Sequence, residues 1–247
     1  MSNIFKHALA IGAFVATAAQ AGPILVSGGD HNANTAGYMT AGGYTATLVD
    51  PSTLDSSTSL AGYQGVWLGW ITSYDSGFVT NLLNYVQGGG NLLVEPLTNL
   101  GPLLPGAGDI TRNFGGGDGV HITGNANGVM TGLTDAGLSN WGSSFHDSYT
   151  VTGTDWTCVA IVDGDPSQCL TLTRDYGLGH ITLTAQDISY HIQYGFGGTG
   201  TGSEKYQFAV NALTITDAGR LPEPASLALV GLSLLGLAAS RRYSAKK

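Results

Sequence analysis

The chain has 247 residues, of which 38 are glycine and only 11% are charged, and its 9 basic and 17 acidic residues give a formal charge of −8. This length and composition fit one ordinary globular domain with short additions, and they exclude a long coiled coil. The 43% of hydrophobic residues is enough to build a core, so a disordered acidic protein is excluded as well.

The negative charge is concentrated in the middle of the chain. Five of the nine basic residues belong to the two ends, whereas residues 22–220 contain 16 acidic and 4 basic residues and carry a net charge of −12. Such a body repels a phosphate backbone, so we expect no nucleic acid among its partners.

The segment 1–21 has the three parts of a secretory signal peptide. Lys6 precedes an apolar stretch that runs from Ala8 to Ala19, and the small residues Ala19 and Ala21 provide a cleavage site. We therefore expect export across the inner membrane, with signal peptidase cutting after Ala21.

The segment 221–247 has the pattern of a second targeting signal. Pro222-Glu223-Pro224 is followed by a short apolar segment at about 225–240 and then by Arg241-Arg242. The 15 residues from Ala225 to Ala239 would form a helix roughly 22 Å long, short of the ~30 Å hydrocarbon layer, which favours a temporary transmembrane anchor. The basic cluster is expected to stay in the cytoplasm, which leaves the acidic body outside the inner membrane.

This three-part tail resembles the PEP-CTERM sorting signal of Gram-negative bacteria. The resemblance implies recognition by an exosortase, a membrane cysteine transpeptidase, with cleavage near Pro222-Glu223-Pro224 and transfer of the body to the cell surface or the medium. Bacteria with such proteins typically make exopolysaccharide, so the resemblance also implies an exopolysaccharide or biofilm-matrix partner. An ordinary C-terminal membrane anchor is the alternative.

Strands and helices alternate in the first half of the exported body. Alternation of this kind predicts βαβ units, and the right-handed crossover rule makes them a flavodoxin-like, doubly wound and mostly parallel α/β sheet. The predicted strands are Ile24–Ser27, Tyr44–Val49, Gly65–Trp70 and Asn91–Glu95, and the predicted helices are 32–41 and 75–87.

The second half is predicted to add a β-hairpin to this sheet. A long surface loop is expected at 97–119, followed by hairpin strands at 156–162 and 168–172, a core strand at 180–185 and a closing helix over Glu204–Leu213. The only two cysteines, Cys158 and Cys169, flank the hairpin turn. Since an exported protein meets an oxidising compartment, we expect them to form a disulfide.

The body, taken as one domain over 22–220, resembles class I glutamine amidotransferase-like domains and, more loosely, ThuA-like proteins. The resemblance is carried by the stretches 24–29, 60–67 and 83–94, and by 121–123 with 132–134 following. It implies a Cys nucleophile in the turn after the strand that follows Gly88–Gly90. That turn reads Val94-Glu95-Pro96-Leu97 here, with no Cys, Ser or Thr, so we carry over no amidase activity and assign no catalytic residue.

Three residues are candidates for ligand binding because they lie at the ends of predicted strands. Asp30 and His31 follow the first strand and Glu95 ends the fourth, and ligands of open parallel sheets bind beyond the carboxyl ends of strands. The histidines have no recognised metal-ligand spacing, so no metal and no cofactor is predicted. Weaker readings are a triad of Ser144, His146 and Asp147, and Ca²⁺ ligation by the turn residues Asp118, Asp163 and Asp165.

Three functions are compatible with these patterns. The leading hypothesis is an exported, non-catalytic surface or matrix protein that is processed at both ends. The alternatives are a hydrolase or carbohydrate-active enzyme that uses Asp30, His31 and Glu95, and a module that stacks saccharides on tryptophan. Exposure of Trp67, Trp70, Trp141 or Trp156 would favour the saccharide-binding module, and their burial would favour a structural role in the core.

Overall fold

The structure is a computed structural model that describes residues 22–28, 32–69, 74–95, 104–194 and 203–215. The predicted signal peptide and the sorting tail lie outside these ranges, as do Asp30 and His31. The strands are β1 Ile24–Ser27, β2 Ala46–Val49, β3 Gly65–Leu68, β4 Asn91–Val94, β5 Ile110–Gly117, β6 Val120–Ile122, β7 Phe145–Val151, β8 Thr157–Val162, β9 Asp165–Tyr176 and β10 Gly179–Thr184. The α-helices are α1 Asn32–Ala41, α2 Ser76–Gln87, α3 Asp135–Leu138, α4 Ile188–Tyr194 and α5 Glu204–Leu213.

Five parallel strands form the centre of one mixed sheet, in the order β2-β1-β3-β4-β10. If β10 is counted as the fifth parallel strand, this is the 2-1-3-4-5 order of the flavodoxin-like fold, which confirms the predicted fold class. In register, Ile24 of β1 lies beside Gly65 of β3, Gly65 lies beside Asn91 of β4, and Asn91 lies beside His180 of β10. The carboxyl ends of these strands therefore meet at one edge.

Helices cover the two faces of this parallel part. The crossover from β1 to β2 runs in the opposite direction along the sheet to the crossover from β3 to β4, so right-handed connections place α1 and α2 on opposite faces. Helix α4 packs against both α1 and α5, and α2 packs against β10. Every residue of β1, β3, β4 and β10 is buried, as expected for parallel strands covered on both sides.

Local sequence explains where α2 begins and ends. The Asp75 carboxylate accepts hydrogen bonds from the backbone N–H groups of Gly77 and Phe78, at 2.8 and 3.0 Å, and so caps the first turn. At the other end, Gly89 has a φ of 111°, which favours glycine. The predicted helix and its glycine stop are confirmed.

Antiparallel strands extend the sheet beyond β10 in the order β9, β7 and β5, with β8 bridging β9 and β6. The predicted hairpin is β8 and β9, and its disulfide is present, with Cα atoms 5.9 Å apart between Cys158 and Cys169. The register places Cys158 beside Leu172 and Cys169 beside Ile161, so the bridge crosses a region where the pairing shifts.

The prediction of a surface loop over 97–119 is wrong for its second half. Ile110–Gly117 is the edge strand β5, which pairs with β7 and has an irregularity between Phe114 and Gly117. Backbone pairing alone defines this strand, because three consecutive glycines remove the side-chain alternation by which a strand is recognised. Strand β7 and helix α4 were also not predicted, whereas the closing helix α5 has the predicted bounds.

None of the helices within the described ranges has both the length and the apolar character needed to cross a bilayer. The segment predicted to do so, at about 225–240, lies outside them.

Candidate functional site

Glu95 lies directly after β4, at the carboxyl edge of the parallel sheet, and its side chain is fully buried, with 0% exposure. Its Oε1 accepts hydrogen bonds from the Trp67 indole N–H at 3.2 Å and from the Ser189 backbone N–H at 2.7 Å. Its Oε2 accepts the Ser189 hydroxyl at 2.5 Å. The carboxyl group thus joins β3, β4 and α4 in the core.

Burial is the main influence on the acidity of Glu95. It raises the pKa of the carboxyl group to about 8, against the hydrogen bonds from Ser189 and Trp67, which lower it, and with help from the negative charge of Asp187. A carboxyl group without solvent contact, with three donors already around it, is suited to holding the core together. Asp30 and His31, the other two predicted ligand-binding residues, lie outside the described residues.

A second polar cluster lies at the same edge of the sheet and consists of His146, Asp187 and His191. Asp187 Oδ2 is 3.2 Å from His146 Nε2, and Asp187 Oδ1 is 3.1 Å from His191 Nε2. The side chains of Asp187 and His191 are 2% exposed, whereas that of His146 is 36% exposed. The cluster is therefore anchored in the core and reaches solvent through His146.

Two elements, α4 and β7, position the residues of this cluster. Asp187 immediately precedes α4 and His191 lies one turn later in that helix, which places both side chains on the same face. His146 lies near the start of β7, where its backbone N–H donates to the Ala185 carbonyl at 3.4 Å, beyond the end of β10. The two imidazole rings are nearly parallel, with an interplanar angle of 18° and centroids 6.4 Å apart.

The indole ring of Trp141 supports the buried side of the cluster. Its centroid is 5.3 Å from that of His191, and the Lys205 ammonium lies 5.1 Å from the Trp141 ring in a cation–π contact. Burial lowers the pKa of Lys205 to about 8. Aromatic packing of this kind fixes the orientation of His191.

Sequence reasoning missed this cluster because its members come from distant parts of the chain. One signal was available: Asp187 and His191 are four residues apart, so a short helix there would put a carboxylate and an imidazole side by side. The contribution of His146 depends on how β7 approaches β10, which no local pattern predicts.

The suggested triad of Ser144, His146 and Asp147 is not assembled. The Ser144 hydroxyl donates to Asp118 at 3.1 Å, and Asp147 forms an ion pair with Arg112 at 2.5 Å. Successive residues of a strand point to opposite faces, so His146 and Asp147 diverge. His146 has Asp187 as its carboxylate neighbour instead.

Of the three turn aspartates that suggested a Ca²⁺ site, two accept hydrogen bonds from other residues of the chain and the third is exposed. Asp118 accepts hydrogen bonds from both the backbone N–H and the hydroxyl of Ser144. Asp165 accepts from Ser167 and Gln168, and these hydrogen bonds, with the Ser167 hydroxyl first, lower the pKa of its carboxyl group. Asp163 is exposed in the hairpin turn. These contacts are those of ordinary turns.

Three of the four tryptophans belong to the core. Trp67, Trp141 and Trp156 are buried, and the indole N–H groups of Trp67 and Trp141 donate to Glu95 and to the Gly137 carbonyl respectively. None of these three presents a ring face for saccharide stacking, and Trp70 lies outside the described residues.

The described residues also form two open grooves at the opposite, amino edge of the sheet. The larger measures about 490 Å³ and is lined by residues of 56–61 and by Asn81, Asn84 and Tyr85. The smaller lies next to it, at the beginning of β3 and β4. Neither groove contains the histidine cluster.

Comparison with known protein families identifies the motif in the C-terminal tail. Residues 221–242 match the PEP-CTERM protein-sorting motif. The resemblance inferred from Pro222-Glu223-Pro224 and Arg241-Arg242 is confirmed, and the motif implies export with processing by an exosortase at the membrane. No curated protein matches the chain.

Solved structures similar to this chain share its fold at low sequence identity. The cytoplasmic protein STM1381 from Salmonella typhimurium LT2 superposes with a TM-score of 0.57 and 15% identity, over 79% of this chain and 100% of that protein. The cytoplasmic protein STM3548 from Salmonella typhimurium gives a TM-score of 0.52 and 14% identity, over 77% of this chain and 97% of that protein. A ThuA-like protein from Bacteroides uniformis ATCC 8492 is also similar, with a TM-score of 0.47 and 11% identity, over 77% and 89% of the two chains. At these identities the likeness concerns the fold alone.

Proposed function

We propose that the exported domain is a non-catalytic protein of the cell surface or extracellular matrix that associates with exopolysaccharide after exosortase processing. The sorting motif at 221–242 supports delivery to the surface. The polysaccharide partner follows from the resemblance of the tail to signals found in bacteria that make exopolysaccharide.

The buried state of Glu95 is the observation that carries the non-catalytic assignment. In the resembling amidotransferases, a nucleophile is exposed after the corresponding strand, because acyl transfer needs a thiolate or alkoxide beside an oxyanion hole. Here the position after β4 is a carboxyl group with 0% exposure and three hydrogen-bond donors. This arrangement supports a structural role for Glu95 at the position where the resembling amidotransferases have their nucleophile.

The test is turnover of glutamine, simple esters and glycosides by the full chain purified in detergent. We expect no turnover by the wild type. Turnover that is lost in Glu95→Gln or His31→Ala would overturn the non-catalytic assignment. In parallel, sedimentation with the exopolysaccharide of the host tests the partner, with a neutral glucan as the control polymer, and failure to co-sediment would contradict the association.

A hydrolase is the second candidate, and the half-exposed imidazole of His146 beside the buried Asp187 favours it. A carboxylate next to an imidazole is the arrangement that orients a general base. If the chain is a hydrolase of this kind, turnover on one of the same substrates will be present in the wild type and lost in His146→Ala. Absence of turnover in both proteins would eliminate this candidate for the substrates used.

A further inference from the structure

We infer that His146, Asp187 and His191 form a binding site for one divalent transition metal ion of the zinc class. Sequence patterns predicted no metal, and the surface function proposed above does not depend on this site.

The distances between the three side chains fit a small metal ion. Zinc lies about 2.0–2.2 Å from nitrogen and oxygen ligands, so neighbouring ligand atoms of a tetrahedral site are about 3.3–3.6 Å apart. Asp187 is 3.2 Å from His146 Nε2 and 3.1 Å from His191 Nε2, and one ligand atom from each of the three residues lies within 4.8 Å of the others. Small side-chain rotations are enough to bring the imidazole nitrogens to a common centre.

The carboxylate of Asp187 is the second observation. It is buried, and neither of its oxygens accepts a hydrogen bond from any residue in the described ranges, although an imidazole nitrogen lies close to each oxygen. A buried carboxylate requires a compensating charge or donor. A cation placed between Asp187 and the two imidazoles would supply that charge at the point where the three ligands converge.

Ligand chemistry selects the class of metal. Two imidazoles with one carboxylate suit zinc and neighbouring first-row ions, whereas Mg²⁺ and Ca²⁺ prefer oxygen ligands. Three protein ligands leave a fourth position for water, and the cluster opens to solvent on the His146 side. The Trp141 ring holds His191 in place, which favours a preformed site.

The experiment uses the full chain in detergent, stripped of metal with a chelator and titrated with Zn²⁺ against a chromogenic chelator. We expect about one Zn²⁺ per chain, and a loss of affinity of more than ~100-fold in His146→Gln, because even an outer-shell partner is worth 10–100-fold. His121→Gln is the matched control, since His121 pairs with Asp135 in an exposed position away from β10, and it should bind like the wild type. Equal affinity of the wild type and His146→Gln, or no uptake by the wild type, would overturn the inference.

Spectroscopy of the wild type tests the metal site without a variant, so its result does not depend on whether His146→Gln folds. With Co²⁺ as the probe, the three-ligand site should give the intense visible absorption of a four-coordinate ion, and zinc-edge X-ray absorption should detect about two imidazole ligands. A weak octahedral Co²⁺ spectrum, or a zinc shell without imidazole, would contradict the inference. In that case His146, Asp187 and His191 form a purely structural cluster.

Discussion

Glu95 illustrates how strongly the surroundings of a single residue determine its role. Its place after a parallel strand suggested a ligand-binding residue, because the ends of such strands commonly face a crevice. In the structure, Trp67 and Ser189 surround the carboxyl group with donors and exclude solvent from it. Those donors come from β3 and α4, and neither is near Glu95 in sequence.

The raised pKa of Glu95 predicts a pH-dependent stability. The folded chain keeps its proton up to about pH 8, whereas an unfolded Glu releases it near 4.5. The stability contributed by the neutral carboxyl group is therefore fully present below about pH 4.5 and is lost as the pH rises through about 8.

Glu95→Gln should remove this dependence. The amide oxygen can still accept from Trp67 and the Ser189 backbone, and the amide nitrogen can donate to the Ser189 hydroxyl. We expect the free energy of unfolding of the variant, measured by urea denaturation, to equal that of the wild type at pH 5 and to exceed it at pH 8.5. Asp163→Asn, in an exposed turn, serves as the control. Parallel profiles for wild type and Glu95→Gln would refute the prediction.

At the scale of elements, close backbone approach at Gly179 determines how β10 joins the sheet. A Cβ at this position would overlap with the carbonyl oxygens of Gly90 and Val86, so neither neighbour can move away as a flexible side chain would. Gly179→Ala should therefore destabilise the fold by about 1–3 kcal/mol, the range for overpacked sites.

Gly37→Ala is the matched control for this substitution. Gly37 is exposed within α1 and an added Cβ would meet nothing within 4 Å, so the variant should gain up to about 1 kcal/mol from helix propensity. Urea unfolding of both variants checks the pair. A Gly179→Ala protein as stable as the wild type would mean that β10 does not approach α2 and β4 as described.

The disulfide between β8 and β9 also contributes to stability at the scale of elements. Cys158 and Cys169 are 11 residues apart, and closing a loop of this size restricts the unfolded chain. The Cys158→Ala/Cys169→Ala double variant should lose about 2–3 kcal/mol of unfolding free energy, and non-reducing mass mapping of the exported wild type should recover one linked peptide pair. Two freely alkylated thiols in the exported protein would contradict the pairing.

At the scale of the whole molecule, we expect processing to remove both ends of the chain. In a host that carries an exosortase, the mature protein should begin near Gly22 and lack the segment beyond about Pro222, as measured by intact mass. Substituting alanine for all three residues of Pro222-Glu223-Pro224 should leave the precursor in the membrane fraction, whereas alanine at Asp163 should not. Retention of 225–247 in the mature wild type would exclude exosortase cleavage.

Much of the fold could be predicted from local sequence because its first half depends on short-range signals. The buried runs of β1, β3 and β4, the Asp75 cap and the glycine stop after α2 each act within a few residues. Strand β5 was missed because pairing with β7 defines it, across an interval of about 30 residues that includes β6 and α3. A strand defined by hydrogen bonds to a distant strand cannot be recognised from alternating apolar and polar side chains when the segment is rich in glycine.

The sequence by itself determined the sorting motif at the C-terminal end, the parallel α/β core and the disulfide, because each depends on neighbouring residues or on the only possible pairing of two cysteines. Only the tertiary structure decided the surroundings of Glu95 and the assembly of the histidine cluster. Burial and proximity arise when β4, β7 and α4 meet at one edge of the sheet. A carboxyl group or an imidazole acquires its chemistry from such neighbours, and their approach is a property of the packed chain.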